Sequence, residues 1–501
     1  MQTSINRRSF LLGAALAGTA VVGGLTGCTP KSQGKAGGEI QLDSETVDPS
    51  QITKTFDYEV VVCGAGTGGL TAAGVAAANG AHVACLEKCS KPCSGGFNYG
   101  FINSQYLLDA GCSPTDTEAL FDNIIKAHMG NANPQLVRMF IDSNPEVGDW
   151  FTNIAIQTGH SYNLASLEGI PVTNFDNALA ILSDNLQNNN GELICAMSAC
   201  QLVTDATNKV TGVIAQNTET QEYVQYNASK GVVLATGGIS GNSDAIRKYL
   251  PYLDPETLVD CAPNSAEGGE NGDAIHMAEG VGALIPAGMF SEQIHYTHGY
   301  WPQQGILFVD KAGKRLPNNE IYCDYNEVRV HTIMSRSGHS SWAITDSKDG
   351  WGEMDNIQAA IRPDYAAVKA NSFDTLDDVA SEFNLDAAGL KATVEEWNAM
   401  VANRNDPLYQ TDLAEALTLD TPPFHAVEAK GVSYALMGGP LVNEKLQVVR
   451  DDYTAIDGLY AIGNCCCGFW GPDYIMSLWA GMNKSWSTVT GYLAGNTATK
   501  Q

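Results

Sequence analysis

YEVVVCGAGTGGLTAAGVAAANGAHVACLEK, Tyr58 to Lys88, decides the fold. An apolar, β-branched run stops at Gly64, and Gly66 and Gly69 complete a GxGxxG spacing ahead of an Ala-rich helical stretch. A second apolar run ends at Glu87, 23 residues after Gly64. Strand, tight turn, helix and strand in that order make a dinucleotide fingerprint. The first glycine allows the turn, the second lets backbone approach a diphosphate, and the third brings helix against strand. The phosphates then face the helix N-terminus, and an acid at the position of Glu87 takes ribose hydroxyls.

Outward from this unit the chain keeps an α/β character. Residues 115–160 carry apolar side chains at spacings of three and four and predict helix. Short strands are expected between Gly191 and Gly238, and a small-residue helix over Gly272–Ile285. From 288 to 424 the composition turns aromatic and polar, with Trp301, Trp342 and Trp351, and reads as an inserted domain. GLYAIGN, Gly458–Asn464, returns to a strand and glycine turn, and a last helix closes the chain. The expected organisation is a leader (1–27), a polar tether (28–54), a nucleotide-binding part (55–287), the insert (288–424) and a second nucleotide-binding part (425–501).

The 501 residues carry 28 Lys+Arg against 56 Asp+Glu, a net charge of −28. Such acidity disfavours nucleic acid and anionic lipid headgroups as partners. The leader, NRRSFLLGAALAGTAVVGGLTGC, begins with Arg7 and Arg8 before an apolar Gly/Ala-rich stretch. It resembles a twin-arginine export signal ending in a lipoprotein box with Cys28 as the acylated residue. Extracytoplasmic location, with membrane association through lipid on Cys28, is the expectation. Removal of residues 1–27 takes away two positive charges and no negative ones. Twelve cysteines remain of 13, with no CxxCH and no CxxC pair. Cys63 and Cys85 fall in strands, and Cys465-Cys466-Cys467 is too crowded for a loop disulfide framework, so buried thiols are expected. No haem or iron–sulfur relay is legible.

GAGTGG, LEK followed by SGG (Ser94–Gly96), ATGG (Ala235–Gly238), GDAIHMA and GLYAIGN together resemble the flavoprotein superfamily of fumarate reductases, succinate dehydrogenase flavoproteins, L-aspartate oxidases and 3-ketosteroid Δ1-dehydrogenases. The resemblance spans roughly residues 55–495. It implies FAD, held in a Rossmann-like α/β domain split in sequence by an inserted α+β cap domain that bears on the substrate. The cofactor-binding residues it implies are Ala65, Gly66, Gly69, Glu87, Lys88, Ser94, Gly95, Gly96, Ala199, Ala235, Thr236, Gly237, Asp273, Gly463 and Asn464. Covalently flavinylated members have a His before the SGG-like glycines. Here the stretch is KCSKPCSGG, which implies non-covalent FAD.

The same resemblance points to catalytic candidates. His295 in QIHYT matches a carboxylate-holding histidine, and Glu320 in KRLPNNEIYCDYNEVR matches an acid of a proton path, with Arg329 as a stand-in for a missing arginine. SWAITDSKDGW has no arginine where fumarate reductases have one, only nearby Lys348, and Tyr474 stands where a second would be. A dicarboxylate wants bidentate guanidinium clamps, so plain fumarate is disfavoured. The ketosteroid dehydrogenase branch has a ketone-polarising tyrosine there, matched by Tyr474, and a proton-handling tyrosine approximated by Tyr325 or Tyr322. A neutral phenol donates well to a developing oxyanion and is a poor base at neutral pH, which favours reduction of an activated C=C bond. A packed-core role for Tyr474 stays open. Phe469, Trp470 and Trp479 beside it suggest a bulky unsaturated small molecule such as an enone, enoate or aryl acrylate. Electrons would come from an external donor, a membrane quinol or a cytochrome. The alternatives are 3-ketosteroid-type dehydrogenation in the reverse direction and a flavin electron carrier without turnover.

Overall fold

A computed structural model describes residues 46–167, 170–256, 258–260, 269–296, 307–316, 341–348, 370–411, 413–414, 416–429, 431–471, 474 and 478–500. The leader with Arg7, Arg8 and Cys28 lies outside them, as do Tyr322, Tyr325, Glu320 and Arg329. No helix of the described residues is long and apolar enough to cross a membrane.

The quoted stretch folds as its pattern predicts. Strand Ile52–Cys63 runs into the glycine turn, helix Thr67–Ala78 follows, and strand Val83–Leu86 returns parallel to the first. The sheet grows on both sides in parallel register. Glu192–Ile194 adds beyond Val83–Leu86, and Tyr223–Leu234 then Ala455–Ala461 add beyond Ile52–Cys63. Val60, Val61, Val62 and Cys63 are fully buried, as a strand covered on both faces must be. An antiparallel meander, Met197–Thr204 with Val210–Asn217, hangs from the far half of Tyr223–Leu234. The mixed α/β fold with a parallel sheet is therefore present.

The helices differ from the sequence expectation in detail. The predicted helical region divides into Thr117–Ala127 and Pro134–Gln157, capped by Asp116 and Asn133. The small-residue helix stops at Glu279, six residues earlier than expected, because Gly280 and Gly282 terminate it. The last helix is Met482–Ala498. It lies against Thr67–Ala78 so closely that only glycine fits. A Cβ on Gly491 would stand 2.4 Å from the Gly68 carbonyl oxygen, and one on Gly495 2.5 Å from that of Ala72. Contacts that ascend both chains together make the two helices parallel, so both N-termini point the same way.

A second, antiparallel sheet orders Leu307–Val309, Ser341–Asp346, Phe424–Ala429 and Ala370–Phe373. Helices Leu376–Phe383 and Ala387–Asn403 cover it, with Trp397, Ile344, Leu390 and Val379 in a core of its own. A three-stranded sheet built on Gly431–Met437 pairs with Ser291–Tyr296 and leads from this region to the nucleotide-binding part.

One ion pair anchors the second core. Arg315 meets Asp406 through two bonds of 2.8 Å, with the carboxylate side chain 0% exposed, and its guanidinium lies 4.5 Å over the Tyr409 ring. Burial raises the Asp406 pKa, but Arg315, Thr411 and the Tyr409 and Thr411 amides outweigh it and hold the carboxyl well below the usual carboxylate range. A depressed folded pKa adds stability that is complete above the unfolded value and is lost as pH falls through the folded one. Asp406→Ala, which leaves a buried guanidinium, is expected to cost about 3–5 kcal/mol in urea unfolding near neutral pH. The gap from wild type should narrow below about pH 4.

Candidate functional site

Gly64 ends its strand at φ +107°, and a Cβ there would lie 2.4 Å from the Ala235 carbonyl oxygen. Gly69 is tighter still, since its Cβ would sit 1.8 Å from Gly64 O. Gly66, the helix N-cap, faces the opposite situation: its Cβ would meet only Cys93 O at 3.6 Å. Two glycines close the turn and the middle one leaves backbone open to a ligand.

Glu87 follows its strand directly and is 7% exposed. Its Oε2 accepts from the Ala65 amide at 2.7 Å and its Oε1 from Cys89 at 2.9 Å. The carboxylate thus braces the glycine turn, while each oxygen keeps a second lone pair for ribose hydroxyls. The Glu87 carbonyl accepts from Met197, which starts the strand carrying Ala199. Lys88 is tied to Asp273 at 2.7 Å, so these two expected cofactor residues hold each other. Thr236 Oγ1 accepts from the Ala274 amide at 3.1 Å and ties the ATGG turn to the helix that Asp273 opens. Gly237, at φ +78°, packs on the Glu270 side chain. Gly463 is held by Thr490 at 3.1 Å, and Asn464 gives its carbonyl to Gly438.

The site fits FAD. Gly66 presents open backbone, and Asn464 Oδ1 is buried with no hydrogen-bond partner among the described residues. Neither parallel helix has a side-chain bond from its N-cap residue or an acidic residue in its first turn. The fingerprint helix turns its dipole and first amides to an anion, whereas in the last helix Met482 N is bonded to Trp479 O and Asn483 N to Tyr474 Oη. The Ser94–Gly96 loop lies between them, with Ser94 Oγ 3.0 Å from Thr67 Oγ1.

Tyr474 is buried, 1% exposed, and its amide donates to Glu292 O at 3.1 Å. Its Oη accepts from Asn483 N, in the first turn of the last helix, at 3.5 Å. The phenol therefore stands at the positive end of a helix that also borders the cofactor cleft. Asn483 Nδ2 reaches Gln293 Oε1 at 3.4 Å, which brings the QIHYT strand to the same place. His295 pairs in that strand opposite Val432, and its side chain is outside the described part. Trp470 lies against the Tyr474 ring at 5.2 Å. Phe469 and Trp479, expected to face a substrate, turn into the core instead. Phe469 stacks on Trp486 at 4.1 Å, and Trp479 stacks on Phe140 at 4.6 Å while donating to Gly100 O. Lys348 is likewise spent, on Asp420 and Thr418.

Three neighbours were missed from sequence. His128 Nδ1 accepts from Gly471 N at 3.1 Å and so braces the loop that bears Tyr474. Asn483 and Lys484 open the last helix, Lys484 reaching Thr67 Oγ1 at 3.2 Å. A lysine in a helix's first turn runs against the helix dipole, and that was the readable signal. Every described cysteine is a free thiol. Burial pushes Cys465 up to about 11 and Cys467 up to about 12.

The family described as FAD binding domain matches residues 59–473. The chain is similar to urocanate reductase of Eggerthella lenta, 28% identical over 82% of this chain and 70% of the relative. It is also similar to vinyl phenol reductase of Lactiplantibacillus plantarum, 24% identical over 84% of this chain and 92% of the relative. Among solved structures, 3-ketosteroid-Δ4-(5α)-dehydrogenase of Rhodococcus jostii RHA1 superposes with a TM-score of 0.68. It covers 90% of this chain and 99% of that one at 22% identity. Glu87→Ala strips two buried amides of their acceptor at about 1–3 kcal/mol each. Purified variant protein is expected to lose most of its flavin absorbance and to melt earlier than wild type.

Proposed function

Because the chain belongs to the FAD binding domain family and is an FAD-dependent oxidoreductase, we propose that it reduces an activated C=C bond in a ring-conjugated small molecule, an enone, enoate or aryl acrylate. Urocanate and vinyl phenol, the substrates named for two relatives, are both unsaturated side chains on a ring, which supports that class. The observation that carries the reading is the buried Tyr474 hydroxyl at the N-terminus of Met482–Ala498.

FAD, when bound, supplies the hydride for the β-carbon of the conjugated system. Tyr474 then donates a hydrogen bond to the carbonyl or equivalent acceptor on which negative charge gathers. The helix amides behind its oxygen favour that charge, and burial keeps water from screening it. Trp470 packs against Tyr474 with the rings tilted, and His128 braces the intervening loop. A second group must protonate the α-carbon. Glu320, Tyr322, Tyr325, Arg329 and His295 remain the candidates. The antiparallel sheet with its two helices is taken as the cap that closes over the substrate.

Export by the twin-arginine route, acylation at Cys28 and electrons from a quinol or cytochrome complete the proposal. They are supported by the leader sequence and by a chain in which no relay motif is legible. Replacing Arg7 and Arg8 by lysine should retain the protein in the cytoplasm, as read by fractionation.

The function is tested by mixing dithionite-reduced protein with conjugated alkenes under anaerobic conditions and following the return of flavin colour. Ring-conjugated enoates should reoxidise the flavin, with fumarate much slower. Tyr474→Phe should slow reoxidation about 10²–10³-fold while retaining FAD. Unchanged reoxidation in that variant, or bleaching of oxidised protein by the saturated partner alone, would sink the reading.

A further inference from the structure

Lys484 stands where a lysine is electrostatically out of place. It is the third residue of Met482–Ala498, in the first turn, where the helix dipole already places partial positive charge. Its side chain is partly buried and does not run out to solvent. Nζ donates to Thr67 Oγ1 at 3.2 Å and to Ser94 Oγ, and a Cβ on Gly96 would lie 3.2 Å from its Cε. Thr67 is the first residue of the fingerprint helix, so the ammonium sits at the second N-terminus as well as its own. Two helix ends and a cation converge on one spot, in a chain of net charge −28. Lys88, just beyond the fingerprint's second strand, is already paired with Asp273.

We propose that Lys484 is the counter-cation for the diphosphate of FAD, held at the fingerprint helix by the hydroxyls of Ser94 and Thr67. The inference rests on the flavin part of the function above and is independent of the substrate. Both hydroxyls accept from the ammonium, which leaves at least one O–H to donate to a phosphate oxygen. Burial lowers the ammonium's pKa to about 8, with Glu270 acting in the opposite sense. A phosphate beside it favours the charged form further. The convergence also explains why neither helix start carries a side-chain cap: the ligand supplies the negative charge.

The test uses holoenzyme of wild type, Lys484→Met and Lys484→Arg. Release of oxidised FAD on dilution is followed by fluorescence, release from dithionite-reduced protein by anaerobic ultrafiltration and reoxidation of the filtrate, and the midpoint potential is measured against a redox dye. Lys484→Met is expected to weaken oxidised and reduced FAD alike by about tenfold or more, or ~1.4 kcal/mol, with the potential unmoved. Lys484→Arg, which keeps the charge, should stay within about threefold of wild type. Added salt should weaken wild-type binding more than that of the methionine variant. Equal FAD affinity in Lys484→Met overturns the proposal. So does a loss confined to reduced FAD with a lowered potential, because the cation then serves the ring. If the methionine variant does not fold, a wild-type FAD affinity insensitive to salt overturns it. Wild-type protein that purifies without FAD overturns the flavin reading together with this one.

Discussion

The molecule depends on how closely two helices lie side by side. Thr67–Ala78 and Met482–Ala498 run parallel, and Gly68, Gly491 and Gly495 let their backbones approach where any larger residue would collide. Antiparallel helices would offset each other's dipoles. Parallel ones add them, and here both positive ends meet beside the same glycine turn. The Ser94 loop and the Tyr474 phenol both take their places from that shared end, which is where we propose the FAD diphosphate to lie. The parallel sheet beneath fixes the first helix through Glu87, whose carboxylate accepts from Ala65 in the turn and from Cys89 just beyond its own strand.

How much of this was readable from sequence follows the range of each interaction. The fingerprint was legible because every contact it needs is local: a β-branched run, three glycines at fixed spacing and an acid at the end of the next strand. The identity of Glu87 was legible, but its double grip on backbone was not, since amide partners leave no mark in side-chain patterns. Tyr474 stood out by its neighbours, yet its contacts with Asn483 and Glu292 come from different elements and leave no mark in the local sequence. Phe469 and Trp479 illustrate the converse. Aromatics near a site in sequence belong to the core when a helix such as Pro134–Gln157 offers Phe140, which Trp479 stacks on and Phe469 meets edge-on. Lys484 and Thr67 lie 417 residues apart, and no spacing rule reaches that far.

The surroundings of the glycine turn and the antiparallel sheet solve opposite electrostatic problems. In the sheet's core, Arg315 and Asp406 neutralise each other completely and stay with each other. Around the glycine turn, polar groups face one another without such a close ion pair: two helix N-termini without acidic first turns, an ammonium bonded to two hydroxyls with Glu270 acting on it, and the Asn464 amide oxygen without a donor among the described residues. The first arrangement serves rigidity and the second serves binding. A single chain can hold both because the two cores are built from separate sheets.

The run Cys465-Cys466-Cys467 has its own consequence. Each sulfur is buried and turned onto a carbonyl, of Leu234, Gly463 and Met289 respectively. Oxidants and alkylating agents attack thiolate, and these sites supply almost none while the sheet is closed. Three adjacent sulfurs are therefore inert while the native packing around them holds, and chemical modification here requires that packing to open first; a sulfur oxidised beyond the sulfenic stage would then be too polar to pack back in.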